Sequence, residues 1–424
     1  MIHMLASLPL LAAMPAVDSV TATQDAAGKV TVTYNLSSAP GVVTLGMETN
    51  SPSGWLPVKC VSTVYGDANK VLRNTGTRTA YWEAERDLPG VQLSDSARMT
   101  VTAWSLAEPP DYMVADLSIP TNLTFFAFVE ALPGGSATND MYKKEKLLMR
   151  RVHAANVVWS RGSPTYETGR NTNKEELQSV MLSKDYYLGV YPVTQWQYLR
   201  IVDSSKTFGN TTNPSRMLCP VEGISVANIR GGAWTRDNRA EPTASSALGR
   251  FSARTGIAFD LPTSAQWEFA CRAGTISAWN DGSNSTNSTT DASLGRLGWY
   301  KGNCFEDPDF EGLSSRTTHA VGKKLPNAWG FYDMHGNVYE LCLDWYALSL
   351  PAVGGVLVDP LGPAESSGDA NMNGYVWRGG SYDEDANCCR SAYTYNWGTS
   401  AIGVAGFRLC APVEIEVCNE EESR

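Results

Sequence analysis

Histidine is scarce in this sequence. The 424 residues include four histidines, His3, His153, His319 and His335, and none of them forms an HxxxH arrangement. An imidazole-rich iron site is therefore not expected, because such a site needs several histidines placed to share one metal ion. His335, in the turn-like segment DMHGN, and His153, among alternating strand-type residues, are interpreted as structural residues.

Closely spaced cysteine pairs are also missing. The nine cysteines are scattered along the chain and no CxxC pair occurs. This excludes the usual spacings of zinc ribbons and of thioredoxin-type redox motifs. Two alternatives stay open, a few disulfides in an oxidising compartment or buried free thiols in a reducing one. The odd number leaves at least one thiol unpaired within a monomer.

Basic charge and long apolar runs are the other two features in short supply. Lys and Arg number 34 against 44 for Asp and Glu, giving a net charge of −10, so nucleic acid is not an expected partner. No apolar run reaches the roughly 18 residues of a membrane-spanning helix. Residues 1–16 have the apolar core and small-residue end of a secretory signal, although no Lys or Arg precedes that core. They predict an extracytoplasmic protein, and the alternative is a truncated start or a poorly ordered arm.

Apolar and aromatic residues are plentiful. They include 13 Trp and 18 Tyr, and together with 43% apolar and 18% charged residues they indicate an ordered globular protein rather than a disordered one. A chain of 424 residues is long enough for two or three domains at about 100–200 residues each. The 37 glycines favour a structure rich in loops and β strands.

The N-terminal part of the chain has the pattern of a small β sandwich. Residues 17–107 contain short alternating stretches separated by turn residues, such as KVTVTYNL at residues 29–36. This alternation gives a strand one buried and one solvated face, and several such strands at close spacing predict an immunoglobulin-like or fibronectin-like module. Residues 108–142, interrupted by Pro and Gly clusters, are predicted to be a connector. The second domain is expected at 143–412, followed by an acidic tail at 413–424.

Two helices of the second domain are predicted from their capping residues. In LPTSAQWEFACRAG, Thr263 and Gln266 have the spacing of a capping box, and Gly274 supplies a stop. Thr194, after YYLGVYPV, is placed to cap a second helix.

A series of motifs in the second domain resembles a known family. The segments are YYLGVYPVTQWQY, NPSR, PVEGIS, LPTSAQWEFACRAG, GWYKGN, VGKKLPNAWGFYDMHGNVYELCLDWY, WRGGSY, CRSAY and GFRL. Their order and spacing between about residues 143 and 410 resemble those of the formylglycine-generating enzyme, or sulfatase-modifying factor, family. The resemblance implies an α+β fold, an irregular C-type lectin-like domain, here preceded by the small all-β sandwich module.

The resemblance also implies where a copper centre would lie. Oxidases of this family bind copper through two thiolates placed shortly after the GGS element and oxidise a substrate cysteine. In this chain the first position falls on Glu384, and only Cys388 or Cys389 could supply the second thiolate, since adjacent residues on a strand point to opposite faces. The motif CRSAY also fits a structural cysteine-arginine element, which would assign Cys389 to packing or a disulfide. A broken copper pair and no catalytic residue are therefore expected, and the alternative is an oxidase acting on a protein cysteine or a small thiol.

Calcium is the more plausible ion under the same resemblance. Asn303 in GWYKGN, and Asn337 and Glu340 in GNVYE, match loops that present oxygen atoms to calcium, a hard cation that accepts irregular geometry. The alternative interpretation is that Asn337 forms a turn and Glu340 is a surface charge.

The segment between WRGGS and GFRL has the composition of a recognition surface. Tyr and Trp offer large contact area with few rotatable bonds, and Asp and Asn offer adaptable polar contacts. The predicted ligand-binding residues are Tyr382, Asp383, Glu384, Asp385, Tyr393, Tyr395, Asn396 and Trp397. A protein or carbohydrate ligand is the expected partner, and the alternative for each aromatic residue is packing in the core.

The same segment resembles the hypervariable cassette of targets of diversity-generating retroelements. Those targets share the lectin-type fold and often keep an RGGS start and a GFR end. This hypothesis predicts a nearly identical template repeat and a reverse transcriptase beside the gene. A third class, a structural envelope protein whose two domains pack into a surface layer, also stays open.

Overall fold

The computed structural model describes most of the chain. The described residues are 14–94, 96–203, 205, 206, 208, 215–232, 241–308, 315–347, 354–364, 374–398, 400 and 403–414. Most of the predicted signal segment at 1–16 and of the predicted acidic tail at 413–424 lies outside these residues. Among the described residues, no helix has the length and apolar character needed to cross a membrane.

The chain divides into two compact units. In described residues, the first unit comprises 14–112, 124–137 and 413–414, and the second comprises 113–123 and 138–412. The second unit thus takes up residues 113–123, part of the segment predicted to be a connector.

The first unit consists of short β strands and one short helix. The strands are β1 (Val17–Gln24), β2 (Lys29–Leu36), β3 (Gly41–Ser51), β4 (Gly54–Val58), β5 (Val64–Gly66), β6 (Lys70–Leu72), β7 (Gly76–Glu83) and β8 (Ala97–Trp104), and the helix is α1 (Ala84–Asp87). One antiparallel sheet has the order β1-β2-β7-β5, and the other has the order β4-β3-β6 with β8 pairing to β3.

The two sheets of the first unit share one apolar core. On β2 the side chains of Val30, Val32 and Tyr34 are buried, whereas the alternate residues are only half-buried. They pack with residues of both sheets, including Leu45 on β3 and Trp82 on β7. The two-residue periodicity of KVTVTYNL is thus confirmed, and the unit is a β sandwich.

The remaining strands are short. They are β9 (Tyr112–Asp116), β10 (Leu123–Phe126), β11 (Lys146–Val152), β12 (Val158–Arg161), β13 (Gln178–Met181), β14 (Tyr186–Gly189), β15 (Gly298–Trp299), β16 (His335–Gly336), β17 (Tyr339–Trp345), β18 (Val356–Val358), β19 (Tyr375–Arg378), β20 (Tyr395–Trp397), β21 (Ala405–Gly406) and β22 (Cys410–Pro412). The helices are α2 (Gln195–Ile201), α3 (Val226–Ile229), α4 (Ala247–Thr255), α5 (Ser264–Arg272) and α6 (Ala292–Leu297).

Both helices predicted in the second unit are present. Thr194 caps α2 and Thr263 caps α5, each with a complete capping box in which the residue three positions later bonds back to the cap. Helix α5 ends where Ala273 and Gly274 take left-handed backbone angles. Its side chains Trp267 and Cys271 are fully buried in the main core of the unit, beside Leu188 of β14.

One sheet of the second unit carries the segment predicted to bind ligand. Its order is β20-β19-β17-β21, with β19 antiparallel to both β17 and β20 and β17 parallel to β21. After β19 the chain makes the Gly379-Gly380 turn, and a 3-10 helix at Ala386–Cys389 follows. The chain then returns to the sheet as β20. The segment predicted to bind ligand is thus held by the sheet at both ends.

Candidate functional site

The predicted ligand-binding side chains lie along the connection from β19 to β20. We call the side chains of Tyr382, Asp383, Glu384, Asp385, Tyr393, Tyr395 and Asn396 the C-terminal surface. Asp383 is exposed and the others are half-buried. The side chain of Trp397, the last predicted member, lies outside the described part of the chain. The structure therefore leaves these residues accessible, but as a partly packed surface.

Arg378, at the end of β19, fixes the backbone on which part of this surface is carried. Its Nη1 atom donates hydrogen bonds to the carbonyl oxygens of Ser391 and Ala392, both at 3.1 Å, and of Tyr393 at 3.3 Å. Its Nη2 atom donates to Glu268 of α5 at 2.9 Å. Arg378 is 1% exposed, so this anchor is part of the core.

Arg390 anchors the same segment from its other side. Its guanidinium group is fully buried and pairs with the Glu175 carboxylate at 2.7 and 2.9 Å. It also donates to Glu167 and to the carbonyl oxygen of Gly169 at 2.7 Å. The backbone beneath the C-terminal surface is therefore held by buried ion pairs to two different parts of the chain.

Glu384 lies among tyrosines and a thiol. Burial raises the pKa of its carboxyl group, and the neighbouring Cys388 thiol and Tyr339 hydroxyl oppose this rise only in part. The Tyr339 hydroxyl is buried and makes no hydrogen bond of standard geometry, so it acts on Glu384 electrostatically. The Tyr339 ring stacks on Tyr395 with ring centroids 5.2 Å apart. This part of the surface joins a carboxyl group to an aromatic platform.

Two other carboxylates of the surface are paired with cations. Asp383 accepts from Arg316 at 2.8 Å, and Asp385 lies 3.2 Å from the Lys301 ammonium group. All four side chains are more than a third exposed, so each pair contributes little to stability. These ion pairs can open for a ligand at small cost.

Glu222 is a residue of this region that sequence reasoning missed. It belongs to the PVEGIS motif, which was noted only for its family resemblance. Its side chain is 6% exposed, and burial raises the pKa of its carboxyl group to about 7. Its charge also acts on the neighbouring Tyr382, whose pKa is raised mainly by burial. No local pattern around residue 222 signals that the carboxyl group is buried.

The two adjacent cysteines have different surroundings. They lie on a 3-10 helix rather than on the strand assumed from sequence. Cys389 is fully buried in an apolar cluster with Trp279 and Leu294, and burial raises the pKa of its thiol well above the ordinary value. The Cys388 thiol lies by Glu384, and burial raises its pKa to about 11. Both are therefore thiols rather than thiolates at neutral pH, and a cuprous ion would have to displace their protons to bind them.

Gly380 explains why Cys389 packs as it does. Gly380 has φ +72°, a left-handed conformation that favours glycine, and a Cβ atom there would come within 2.5 Å of the Cys389 sulfur atom. The glycine of the RGGS motif therefore makes room for the cysteine of CRSAY. The interpretation of Cys389 as a packing residue agrees with this contact.

The two cysteines should respond differently to substitution. Cys389→Ser places a hydroxyl in an apolar cluster, and we expect it to lower the free energy of unfolding by about 1–3 kcal/mol. Cys388→Ser, at a half-buried position, should change it by less than about 1 kcal/mol. Urea denaturation of both variants measures this, and equal losses would contradict the assignment of Cys389 to the core.

The residues predicted to bind calcium already use their oxygen atoms. Asn303 Oδ1 accepts from the backbone N–H of Tyr300 at 2.9 Å, and Asn337 Oδ1 accepts from His319 N at 3.0 Å. Glu340 is 1% exposed and pairs with Arg408 at 2.7 Å. These oxygen atoms are thus engaged within the protein, and among the described residues no group of three or more His, Cys, Asp or Glu side chains is placed to hold a metal ion. The calcium site stays a prediction.

Glu340 and Asn337 each have a structural role in the fold. Asn337 has φ +65° and forms a turn, as its alternative interpretation holds. The interpretation of Glu340 as a surface charge is wrong, because both its oxygens accept hydrogen bonds in the core from Arg408 and one also accepts from Trp267. The motif therefore brings a carboxylate to the interior, where Arg408 of GFRL neutralises it.

The histidines are mostly structural. His335 is fully buried, its Nδ1 lies 2.7 Å from the Cys389 carbonyl oxygen, and its Nε2 accepts from Asn280 N at 3.2 Å. Burial lowers the pKa of His335 to about 4, so the ring is neutral. His153 follows β11, its side chain is 61% exposed, and its Nδ1 atom lies 3.4 Å from the Asp185 carboxylate.

Most of the second unit matches a known protein family. A sequence profile described as the sulfatase-modifying factor enzyme 1-like domain matches residues 144–412, more than half of the chain. The chain belongs to this family. The resemblance inferred from the motifs is thus confirmed, as is the α+β, C-type lectin-like fold class.

Curated relatives match shorter stretches. A formylglycine-generating enzyme of Streptomyces coelicolor is 34% identical over 158 residues, covering 36% of this chain and 46% of that enzyme. The enzyme of the same name from Thermomonospora curvata is 32% identical over 161 residues, covering 36% and 48%. A protein named chaperone protein LppX, from Paenibacillus barcinonensis, is 26% identical over 202 residues, covering 43% and 69%. The chain therefore spans about half the length of the two formylglycine-generating enzymes.

Solved structures resemble the second part of the chain. Treponema denticola variable protein 1 is 25% identical with a TM-score of 0.44, covering 63% of this chain and 95% of that one. PvdO from Pseudomonas aeruginosa is 20% identical with a TM-score of 0.40, covering 62% and 94%.

Proposed function

We propose that this member of the sulfatase-modifying factor family is an exported protein that binds a protein or carbohydrate ligand through its C-terminal surface. One observation carries the proposal. The backbone of the surface is fixed by the buried Arg378 and Arg390, while its Tyr and Asp side chains stay half-buried or exposed. A rigid scaffold that presents tyrosines loses little conformational entropy when a ligand binds.

The chemistry of the segment supports binding over oxidation. The first thiolate position of the family's copper pair is Glu384, and Cys389, one of the two nearby cysteines, is packed in an apolar core cluster. The exposed and half-buried groups are hydroxyls, carboxyls and aromatic rings, which recognise ligands through hydrogen bonds and stacking.

The proposed surface predicts a loss of ligand binding on aromatic truncation. A ligand is first selected from arrays of glycans and of secreted proteins probed with the whole chain. The double change Tyr393→Ala and Tyr395→Ala should then raise Kd at least about 30-fold, because even one buried aromatic anchor contributes about 2 kcal/mol. Adding Trp397→Ala extends the test to the last predicted residue.

A matched control separates this surface from the rest of the domain. Tyr166 is 68% exposed in the same unit, and Tyr166→Ala should leave Kd unchanged. Circular dichroism confirms that each variant is folded. Unchanged binding by the folded double variant would place the ligand elsewhere and remove the proposal.

We further propose that the segment 382–405 is diversified by a retroelement. The motifs WRGGS and GFRL at the two ends of the segment, and the many polar and aromatic residues between them, support this proposal. Sequencing the DNA on both sides of the gene tests it directly. A template repeat nearly identical to the segment, with a reverse transcriptase gene, is the expected finding, and their absence would reject diversification without affecting ligand binding.

A further inference from the structure

Glu222 is an unusual buried group. Glu222 is only 6% exposed, and its Oε2 atom makes no hydrogen bond of standard geometry. The adjacent Thr318 hydroxyl, 1% exposed, interacts with the Glu222 carboxyl group and opposes the rise of its pKa, but its Oγ1 atom too makes no hydrogen bond of standard geometry. Buried polar atoms in folded proteins almost always have partners, so two neighbouring atoms without them need an explanation.

Glu222 lies next to the C-terminal surface. Tyr382 is half-buried and close enough to feel the charge of Glu222. Hydrogen bonds connect the two: Tyr382 N donates to Asn337 O at 3.0 Å, and Asn337 Nδ2 donates at 3.0 Å to the carbonyl oxygen of His319, which follows Thr318. Glu384 lies beside Tyr339 and Cys388.

Carboxyl groups outnumber cations here. Arg316 pairs with Asp383 and Lys301 with Asp385. Within the described ranges, neither Glu222 nor Glu384 forms an ion pair. The chain as a whole carries a net charge of −10, which adds to the attraction of the surface for cations.

We propose that the ligand of the C-terminal surface presents an organic cation, an ammonium or guanidinium group, which Glu222 binds beside the ring of Tyr382. This inference rests on the proposed function and specifies the chemistry of its ligand. A cation would give the Glu222 carboxylate its missing partner, and the tyrosine face would add a cation–π contact. Thr318 could accept one further hydrogen bond from the same group.

The test uses peptides that differ only in charge. The whole chain is titrated at millimolar concentrations with Gly-Arg-Gly and with Gly-citrulline-Gly, which keeps the shape but not the charge, and with Gly-Lys-Gly and its acetyl-lysine counterpart. Binding is followed by NMR of carboxyl-labelled glutamate, and the signal missing from Glu222→Gln assigns Glu222. The two pairs of peptides distinguish a guanidinium from an ammonium ligand.

The expected result is saturable binding of a charged peptide that lowers the pKa of Glu222. Its neutral counterpart, and Glu222→Gln with the charged peptide, should bind at least about tenfold more weakly. Glu176→Gln, an exposed glutamate of the same unit, should bind as the unchanged protein does.

Two results would overturn the inference. One is equal binding of charged and neutral peptides, and the other is no saturable binding of either charged peptide. Both leave the proposed function standing if the Tyr393 and Tyr395 variant still loses its selected ligand. If that variant keeps its ligand, the proposed function fails by itself.

Discussion

Replacement of Arg390 by methionine is expected to lower the free energy of unfolding by about 3–5 kcal/mol. Arg390 is fully buried, and it is the cation that pairs with Glu175 and Glu167, which are 1% and 4% exposed. Without it, two carboxyl groups would stay in the interior with no compensating charge, and the 3-10 helix below the C-terminal surface would lose its anchor. Urea denaturation measures the loss.

Arg316→Met is the matched control. It removes an arginine that also pairs with a carboxylate, but both partners are more than a third exposed. We therefore expect a loss below about 1 kcal/mol. Arg390→Lys keeps the charge but not the forked geometry, so it should lose less stability than Arg390→Met. If Arg390→Met does not fold at all, the loss is measured on Arg390→Lys. Equal, small losses for Arg390→Met and Arg316→Met would show that the buried ion pairs do not hold the segment.

Glu222 should make stability fall as the pH rises. Burial raises the pKa of its carboxyl group from 4.5 to about 7 in the folded chain. The folded state therefore holds this proton more tightly than the unfolded state does. The contribution of Glu222 is fully present below pH 4.5 and is lost between pH 4.5 and 7, by about 3 kcal/mol. Above pH 7 it no longer changes.

The comparison with Glu222→Gln isolates this effect from the other titrating groups. The variant should gain stability relative to the unchanged protein as the pH is raised from 4.5 to 7, because glutamine carries no proton to lose. Chemical denaturation at several pH values gives the difference. A constant difference for Glu222→Gln across this pH range would mean that the group is not desolvated.

Local patterns predicted the local structure. The alternation of Val30, Val32 and Tyr34 sufficed for β2, because a strand with one buried face must repeat every two residues. The side chains of Thr263 and Gln266 sufficed for the start of α5, because a capping box is made within four residues. The ordered motifs sufficed for the family and its fold.

Contacts between distant residues could not be predicted. Arg390 and Glu167 are 223 positions apart, and nothing near either residue indicates the other. The same limit applies to Glu222, which reads as a surface charge in a loop until the fold buries it. The interpretation of Glu340 as a surface charge was wrong for the same reason, since its partner Arg408 lies 68 positions away.

The orientation of Cys388 and Cys389 shows a different limit. Opposite placement of neighbouring side chains was expected from a strand, but the residues form a 3-10 helix that the sequence did not signal. The core position of Cys389 rests on its contact with Gly380, which no pattern near residue 389 indicates. The broken copper pair stays a prediction.

The central claim is that the C-terminal surface binds a ligand and does not oxidise one. The most direct measurement loads the purified, reduced protein with cuprous ion and offers it a sulfatase-type cysteine peptide under oxygen, with mass spectrometry of the peptide. We predict that the peptide keeps its cysteine and that the protein takes up no stoichiometric copper. Conversion of that cysteine to the aldehyde, abolished by Cys388→Ser or Cys389→Ser, would contradict the account and make the protein an oxidase.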